Sequence, residues 1–335
     1  MLLKKVRPYL LIIVSSLVLL TPLISRTLRK ADPKWGFWAH RYINRMAVFR
    51  LPADMLPFYK KHLDFISENA VNPDKRRYAV IGEAEKHFID LDVYDKNEIL
   101  PVQWTDAVEK FGEDSLRKHG IAPWNLQQVA YQLTEAFRKN DHNRILKLSA
   151  DLGHYVGDIH VPLHTTKNYN GQLTGQEGIH AFWESRLPEL LANDYDFWIG
   201  PIEYIEDLPE KIWDAVYQSH AACDSVLRFE KELTDKWQKT RKYSHEVRLN
   251  QNVKVYSEEF SKAYHAMLDG QVERQMRHAI RMTGNIWYTC WINAGQPKLN
   301  LLLESDRVEE YADMNDNNPG WLKRLFKIRS EIDDH

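Results

Sequence analysis

Fourteen histidines are present in 335 residues, and two that stand one helical turn before an acid lie close together in the chain. His154 and Asp158 bracket Tyr155-Val156-Gly157, and His180 and Glu184 bracket Ala181-Phe182-Trp183. A spacing of four puts both side chains of a pair on the same helix face. Imidazole nitrogen and carboxylate oxygen are donors that suit zinc, so each pair offers two ligands from one rigid element. A single H-x3-D or H-x3-E is equally well a surface ion pair. Here the two pairs are joined by His164, six residues after Asp158 and just past Pro162, and that is harder to dismiss.

Further donors lie upstream. His40 follows Trp35 by five residues in Trp35-Gly36-Phe37-Trp38-Ala39-His40. Asp74 comes directly after Asn72-Pro73, and His87 opens His87-Phe88-Ile89-Asp90 thirteen residues later. Read singly, His40 is a core or surface histidine and Asp74 a turn residue. Read together, they extend a set of imidazoles and acids able to hold several divalent ions. Phosphodiester hydrolysis needs a strong nucleophile near neutral pH and neutralisation of charge on the phosphoryl oxygens. A zinc pair lowers the pKa of a water, and a third cation can stabilise the leaving oxygen. Asp74 could ligate and also orient or deprotonate that water as the catalytic base.

In chain order, W-G-x3-H, D, H-F-I-D, H-x3-D-x5-H and H-x3-E resemble the zinc-dependent phospholipase C and S1/P1 nuclease superfamily, over roughly residues 35–290. The resemblance implies an all-α fold, a single multi-helix phospholipase C/P1 nuclease-like domain with a trinuclear zinc site at the base of a cleft. It implies three Zn2+ held by Trp35 (through its backbone amine and carbonyl), His40, Asp74, His87, His154, Asp158, His164, His180 and Glu184. Asp74, His87, His154 and Asp158 would hold one ion. Trp35 with His40, and Asp158 with His164, His180 and Glu184, would serve the other two, with acids bridging neighbouring ions. His160 matches no ligand position and is read as structural.

Substrate is divided by the same resemblance. Glu184 looks like the phospholipase branch, where the nuclease branch usually has Asp. Phe88 and Asp90 match positions that in the nuclease branch stack on a base and hydrogen-bond its edge. The plainer alternative, Phe88 in the core and Asp90 capping or pairing locally, stays open. The expected activity is a nuclease-like phosphodiesterase that cleaves single-stranded nucleic acid with a metal-activated water. The alternatives are a phospholipase C acting on phospholipid head groups and a zinc-binding, non-catalytic relative. No obligate protein partner is expected. In the resembling enzymes the tryptophan is the mature N-terminus and its free amine is a ligand. Here Ala31-Asp32-Pro33-Lys34 precedes Trp35, a poor site for signal peptidase. The expectation is that another protease cuts after Lys34.

Composition narrows the field from another side. Only Cys223 and Cys290 are present and no CxxC occurs, which excludes a disulfide scaffold, a thiolate zinc ribbon and a dithiol redox centre. GxGxxG, P-loop, GxSxG and HExxH motifs are missing. The formal net charge is −2, but seven of the 45 basic side chains and one of the 47 acids fall in residues 1–34, leaving −8 for the remainder. So acidic a body does not hold a polyanion by its own charge. Three divalent ions would reverse the sign locally.

The elements that must position these residues read as helices. Apolar side chains recur every three or four residues at Ile43, Met46, Ala47 and Leu51, at Val129, Leu133, Ala136 and Phe137, and at Ile145, Leu148, Leu152 and Val156. Sustained β alternation is not seen. Loops are expected at Asn72-Pro73, Gly120 to Pro123 and Asn168 to Gly178. Residues 1–34 place Lys4, Lys5 and Arg7 before a mainly apolar run from Tyr9 to Ile24, the pattern of a signal peptide or membrane anchor with a basic linker. The expected organisation is 1–34 for that segment, 35–303 for the phosphodiesterase domain, and 304–335 for a polar tail. The tail interleaves Trp321, Leu322, Leu325, Phe326 and Ile332 with Lys323, Arg324, Lys327 and Arg329, a basic amphipathic pattern. Export to the periplasm or the extracellular space follows, with a tether to the membrane as an option.

Overall fold

The computed structural model describes residues 37–95, 98–248 and 251–302. Trp35, the N-terminal segment and the basic amphipathic tail lie outside the described residues. No helix among the described residues is long and apolar enough to cross a membrane.

Among the described residues the architecture is all-α apart from one hairpin. Eight helices carry the argument: α1 (Phe37–Val48), α2 (Asn72–Arg76), α3 (Ala122–Arg138), α4 (His142–Ile159), α5 (Leu208–Ala221), α6 (Cys223–Lys236), α7 (Glu258–Met267) and α8 (Gln271–Asn293). The hairpin pairs β1 (Tyr243–Arg248) with β2 (Gln251–Tyr256), antiparallel, with Tyr243 opposite Tyr256. Shorter helical pieces join them, among them Ala84–His87, Pro162–Thr165 and a 179–191 segment.

Helix α4 is the axis of the molecule. Fourteen of its 18 residues are buried, far beyond the single apolar stripe of a surface helix, and it is accordingly covered on all sides. It starts at Asp141, whose side chain accepts from Arg144 N at 3.1 Å, a cap worth about 1 kcal/mol. Helices α1, α3 and α8 pack around it. Their common core contains Phe58, Tyr59, Phe137, Leu152 and Trp287, all fully buried. Each such side chain contributes about 1.5–3 kcal/mol. Two polar atoms inside this core are answered: Trp287 Nε1 donates to Ser149 O at 3.1 Å, and Tyr59 Oη shares a 2.8 Å bond with Ser149 Oγ.

A second core lies under the hairpin. Phe182, Trp183 and Leu187 of the 179–191 segment meet Val226, Tyr256, Phe260 and Tyr264, with Phe182 stacked on Tyr256 at 3.8 Å. This is the layer that presents the His180/Glu184 pair.

Two local expectations change on contact with the fold. Asn72-Pro73 does not make a loop; Pro73 sits in the first turn of α2, where its missing N–H costs nothing and its fixed φ helps. The sequence's basic 236–248 stretch runs into β1, and Lys242 pairs with the fully buried Glu230 at 2.7 Å. The hairpin itself escapes detection because its alternation, Val247 against Val253 and Val255, is only a few residues long. The cysteines behave as expected: both are free and buried, and burial pushes Cys223 up to about 11 and Cys290 up to about 12, too high for a nucleophile near neutral pH.

Candidate metal centre

Two glycines set the floor of the site. A Cβ on Gly157 would come within 2.7 Å of His40 Nδ1, and one on Gly153 within 1.7 Å of Asn44 Oδ1. Bare backbone at both positions lets α1 lie directly on α4, at a helix-propensity cost of about 1 kcal/mol each. Asn44 secures the contact by donating to Ile66 O at 3.2 Å and Ala150 O at 3.0 Å. The result is that His40 of α1 stacks on His154 of α4, with ring centroids 4.1 Å apart.

His87 arrives from another direction. The segment 84–92 is clamped between residues 119–122 and 164–167. Ile89 N donates to His164 O at 2.9 Å, His164 Nδ1 to His87 O at 2.5 Å, Asp90 N to His119 O at 2.8 Å and Ala122 N to Phe88 O at 3.1 Å. Asp92 completes the clamp, accepting from Thr166 Oγ1 at 2.8 Å and Lys167 N at 2.9 Å. Because His164 Nδ1 donates to a carbonyl, its Nε2 is the free lone pair turned into the site, the arrangement by which second partners orient metal-binding imidazoles.

The side chains then converge. Asp158 Oδ2 lies 2.9 Å from His87 Nδ1 and 3.2 Å from His154 Nε2, and its Oδ1 lies 3.5 Å from His40 Nε2. Glu184 Oε1 lies 3.3 Å from His40 Nε2, while its Oε2 lies 2.7 Å from His180 Nε2 and 3.6 Å from His164 Nε2. Potential ligand atoms fall into three groups, each within 4.8 Å: His40, His154 and Asp158; Asp74, His87 and His154, which shares His154 with the first; and His164, His180 and Glu184. Thus eight of the nine expected ligand residues meet in one place, and Trp35 is the one outside the described residues. Asp158 reaches His40 more closely than it reaches His164, whose Nδ1 is 3.7 Å away.

The donor chemistry fits a cation. His87 Nδ1 faces His154 Nε2 at 3.0 Å, and His164 Nε2 faces His180 Nε2 at 3.0 Å. In each pair two ring nitrogens are aimed at the same small volume. Behind them, His40 Nδ1, His87 Nε2 and His154 Nδ1 are buried without a hydrogen-bond partner, a costly arrangement for neutral polar atoms. Electrostatics favours the ligand form of the bases. Burial, helped by the neighbouring His154 and Arg77, holds His87 well below 6.5, and burial lowers His154 against the pull of Asp74 and Glu184. Both imidazoles are therefore neutral, as ligation requires. Burial raises Asp158 to about 7, against the opposing charges of His164 and His40. Burial would also raise Glu184, but the imidazoles of His164, His180 and His40 gathered around it outweigh that and hold the carboxyl well below the usual range.

Residues outside the motifs hold the ligands in place. Arg76, two residues after Asp74, binds Asp151 of α4 at 3.0 and 3.3 Å and Glu83 at 3.1 Å. Glu83 also accepts from Tyr155 Oη at 2.5 Å and Lys86 Nζ at 2.9 Å. This network ties α2 and the Ala84–His87 turn to α4 on either side of His154. The stretch Phe182–Arg186, which contains Glu184, is a π-helical turn, a form often found at functional sites. Arg186 fastens it, donating to Glu246 of β1 at 2.5 and 3.2 Å and to Tyr256 O at 3.2 Å. Arg76, Glu83, Asp151, Arg186 and Asn44 carry no motif. Gly153 and Gly157, on either side of His154, are the local signal in the sequence that could have revealed the close packing here.

Phe88 and Asp90 stand beside the cluster rather than in it. Phe88 is half-buried with its ring against Gly120. Asp90 is buried, with Oδ2 3.7 Å from His119 Nδ1, and burial together with the charge of Asp92 raises it to about 7. His160 is structural: its Nδ1 donates to Val156 O at 2.7 Å.

Fold and site thus define a helical protein built around buried imidazoles and carboxylates. Compared with known proteins, the chain is similar to Nuclease S1 of Aspergillus oryzae, 22% identical over 217 residues that cover 60% of this chain and 71% of that one. The resemblance drawn from the motifs, to the zinc-dependent phospholipase C and S1/P1 nuclease superfamily, therefore extends along much of the chain. Among solved structures it is similar to the alpha-toxin of Clostridium perfringens isolated from avian strain SWCP (TM-score 0.44, 12% identity, 79% of this chain). It is also similar to the alpha toxin of Clostridium absonum (TM-score 0.39, 13% identity, 76% of this chain). The chain spans 65% of the length of each toxin. No protein-family model matches it.

Proposed function

We propose that the chain is a zinc-dependent phosphodiester hydrolase of nuclease type that cleaves single-stranded nucleic acid. The observation that carries this reading is the meeting of His40, Asp74, His87, His154, Asp158, His164, His180 and Glu184 in three neighbouring ligand groups. Asp158 is placed to serve the first two groups, one oxygen toward His40 and the other toward His87 and His154. Glu184 links His40 to His164 and His180 in the same way. Trp35 is proposed as the ninth ligand, exposed by cleavage after Lys34, and N-terminal sequencing of the exported protein tests it. A fully active chain that begins upstream would contradict that step.

Bound zinc supplies Lewis acidity and a water of lowered pKa. The protein supplies the rest. Asp74 orients the attacking water and takes its proton. The buried walls exclude bulk water and strengthen every interaction with the phosphodiester. Half-buried Phe88 offers a face for a base to stack on, which tolerates any sequence and suits unpaired strands. Asp90, when ionised, accepts from the edge of that base.

A second reading has its own support. Glu184 resembles the phospholipase branch, and Tyr169 and Leu173, 40% and 66% exposed, stand on the loop leading to His180. Apolar groups at the rim of a site suit a lipid interface. Assays of the zinc-loaded protein on single-stranded DNA, RNA, a 3′-nucleotide and phosphatidylcholine decide between the two. The nucleic-acid reading expects cleavage of the polynucleotides, and hydrolysis of phosphatidylcholine alone would replace it with a phospholipase C.

A further inference from the structure

The three ligand groups do not share their supports. Two of them meet at His154 of α4, whereas His164, His180 and Glu184 form a group with no member in common with the others. His180 and Glu184 stand on the 179–191 segment, whose buried side chains Phe182, Trp183 and Leu187 enter the second core. The placement of this group therefore depends on that core and on the loop that leads into the segment.

One carboxylate ties these parts together. Glu230 of α6 is fully buried. Its Oε1 accepts from Thr234 Oγ1 at 2.9 Å and lies 2.7 Å from Lys242 Nζ, and its Oε2 accepts from Gln176 Nε2 at 2.6 Å. A buried ion is costly unless it is paired and its remaining lone pairs are filled, and here both conditions are met. Apolar side chains in place of such a pair often leave stability unchanged or raised. The needs of the core alone do not account for a charged group at this position.

Two paths lead from Glu230 to the ligands. The first runs through Gln176, whose Nε2 also donates to Leu227 O at 2.8 Å. Gln176 closes the 168–178 loop: its N–H donates to Gly171 O at 2.9 Å, and its carbonyl accepts from Ile179 N at 3.1 Å, one residue before His180. The closure is tight, since a Cβ on Gly171 (φ +75°) would come within 2.5 Å of Gln176 O. This loop joins the Pro162–Thr165 turn, which bears His164, to the segment that bears His180, so its shape sets the span between two ligands. The second path runs through Lys242, whose Nζ lies over the rings of Tyr256 and Phe260 at 5.5 and 5.4 Å, a cation–π arrangement. Tyr256 stacks on Phe182 at 3.8 Å, and Phe182 stands between His180 and Glu184 in the chain. Both paths end on the same ligand group.

We infer, on the zinc reading proposed above, that Glu230 is a positioning residue for the ion at His164, His180 and Glu184, setting the His164–His180 span through Gln176 and backing Glu184 through Lys242 and the aromatic stack. It touches neither the ion nor the substrate and acts only through these neighbours. Partners that orient metal ligands change metal affinity by about 10–100-fold. A support that reaches one group should act on one ion and spare the two others.

Zinc binding itself is the readout, by equilibrium dialysis of the full chain against zinc buffers, beside urea unfolding of the metal-free protein. Glu230→Gln keeps the side-chain volume and removes the charge. Gln176→Leu leaves the Glu230–Lys242 pair in place and cuts only the path to the loop; it carries the test if Glu230→Gln does not fold. Each variant should lose about 10–100-fold in affinity for one zinc equivalent, with the other two unchanged. His180→Ala removes a ligand of that same ion and so identifies it. Adding Glu230→Gln to His180→Ala should shift the equivalents that remain by no more than a factor of about two, as for independent sites. A fall in every zinc affinity in step with the urea midpoint would make Glu230 a support of the fold alone and overturn the inference. Unchanged zinc binding in both variants would also overturn it, with the metal centre left as read. A wild type that binds no zinc would instead remove the metal centre, and the role of Glu230 with it.

Discussion

At the scale of single residues, Asp158 and His154 concentrate the chemistry. His154 Nε2 lies 3.2 Å from Asp158 Oδ2, and each belongs to more than one contact with other ligands. Replacing His154 removes a donor from two groups at once, and replacing Asp158 alters the carboxylate that faces His40, His87 and His154. His154→Ala and Asp158→Asn should abolish hydrolysis and reduce bound zinc, while circular dichroism shows helix content close to that of the wild type. Full activity in either variant would rule out the metal site. Asp90 gives a pH-dependent test. Its carboxyl, raised to about 7 by burial and by Asp92, is protonated below that value and then no longer accepts from a base. KM for a polynucleotide should therefore rise as pH falls from 8 to 6, and Asp90→Asn should flatten that profile. The ligand types and spacings were legible in the sequence because zinc chemistry restricts them to a few residues at fixed intervals. The supports were not. Arg76, Asp151 and Glu83 are brought together from three separate segments, and no local spacing encodes a contact of that range.

At the scale of elements, α1 on α4 determines whether His40 reaches the cluster. Gly157→Ala would drive a methyl group to 2.7 Å from His40 Nδ1. Alanine gains about 1 kcal/mol in helix propensity, but overpacking costs about 1–3 kcal/mol. The expected result is little change in Tm and a clear loss of zinc affinity, measured by competition with a chelating dye. Gly153→Ala meets the Asn44 amide at 1.7 Å and should lower stability outright, by about 1–3 kcal/mol in a urea titration. The Arg186–Glu246 tie makes a parallel case. Glu246→Gln should loosen the π-helical turn and weaken zinc about 10–100-fold, the usual range for a partner that orients a ligand. Helices α1, α3 and α4 were readable from apolar periodicity, since each buries a continuous face. The hairpin and the π-helical turn were not, because six-residue strands and one extra residue in a turn leave almost no periodic trace. Asn72-Pro73 misled for a defined reason: the dipeptide that ends helices also begins them.

At the scale of the whole molecule, stability couples to metal and to protons. Zinc that binds only the folded state stabilises it by mass action, so chelation should lower Tm and abolish activity, and added zinc should restore both. Acid acts through buried histidines as well. Burial lowers His62 to about 4, with His142 and Lys61 adding to it, and burial lowers His160 to about 4. Each folded-state value lies below the ordinary 6.5, so the unfolded chain binds more protons between those limits. Stability is complete above about 6.5 and falls as pH drops toward 4, with roughly 2 kcal/mol lost for each group by about pH 5. His62→Gln, remote from the cluster, should reduce that slope by its share in chevron or urea measurements at pH 5 and pH 7.

The most direct test of the account is the anomalous scattering of a crystal grown with zinc, recorded at the zinc absorption edge. Three peaks are expected, one each among His40, His154 and Asp158, among Asp74, His87 and His154, and among His164, His180 and Glu184. A map without peaks at these side chains, from protein shown to be folded and exposed to zinc, would contradict it.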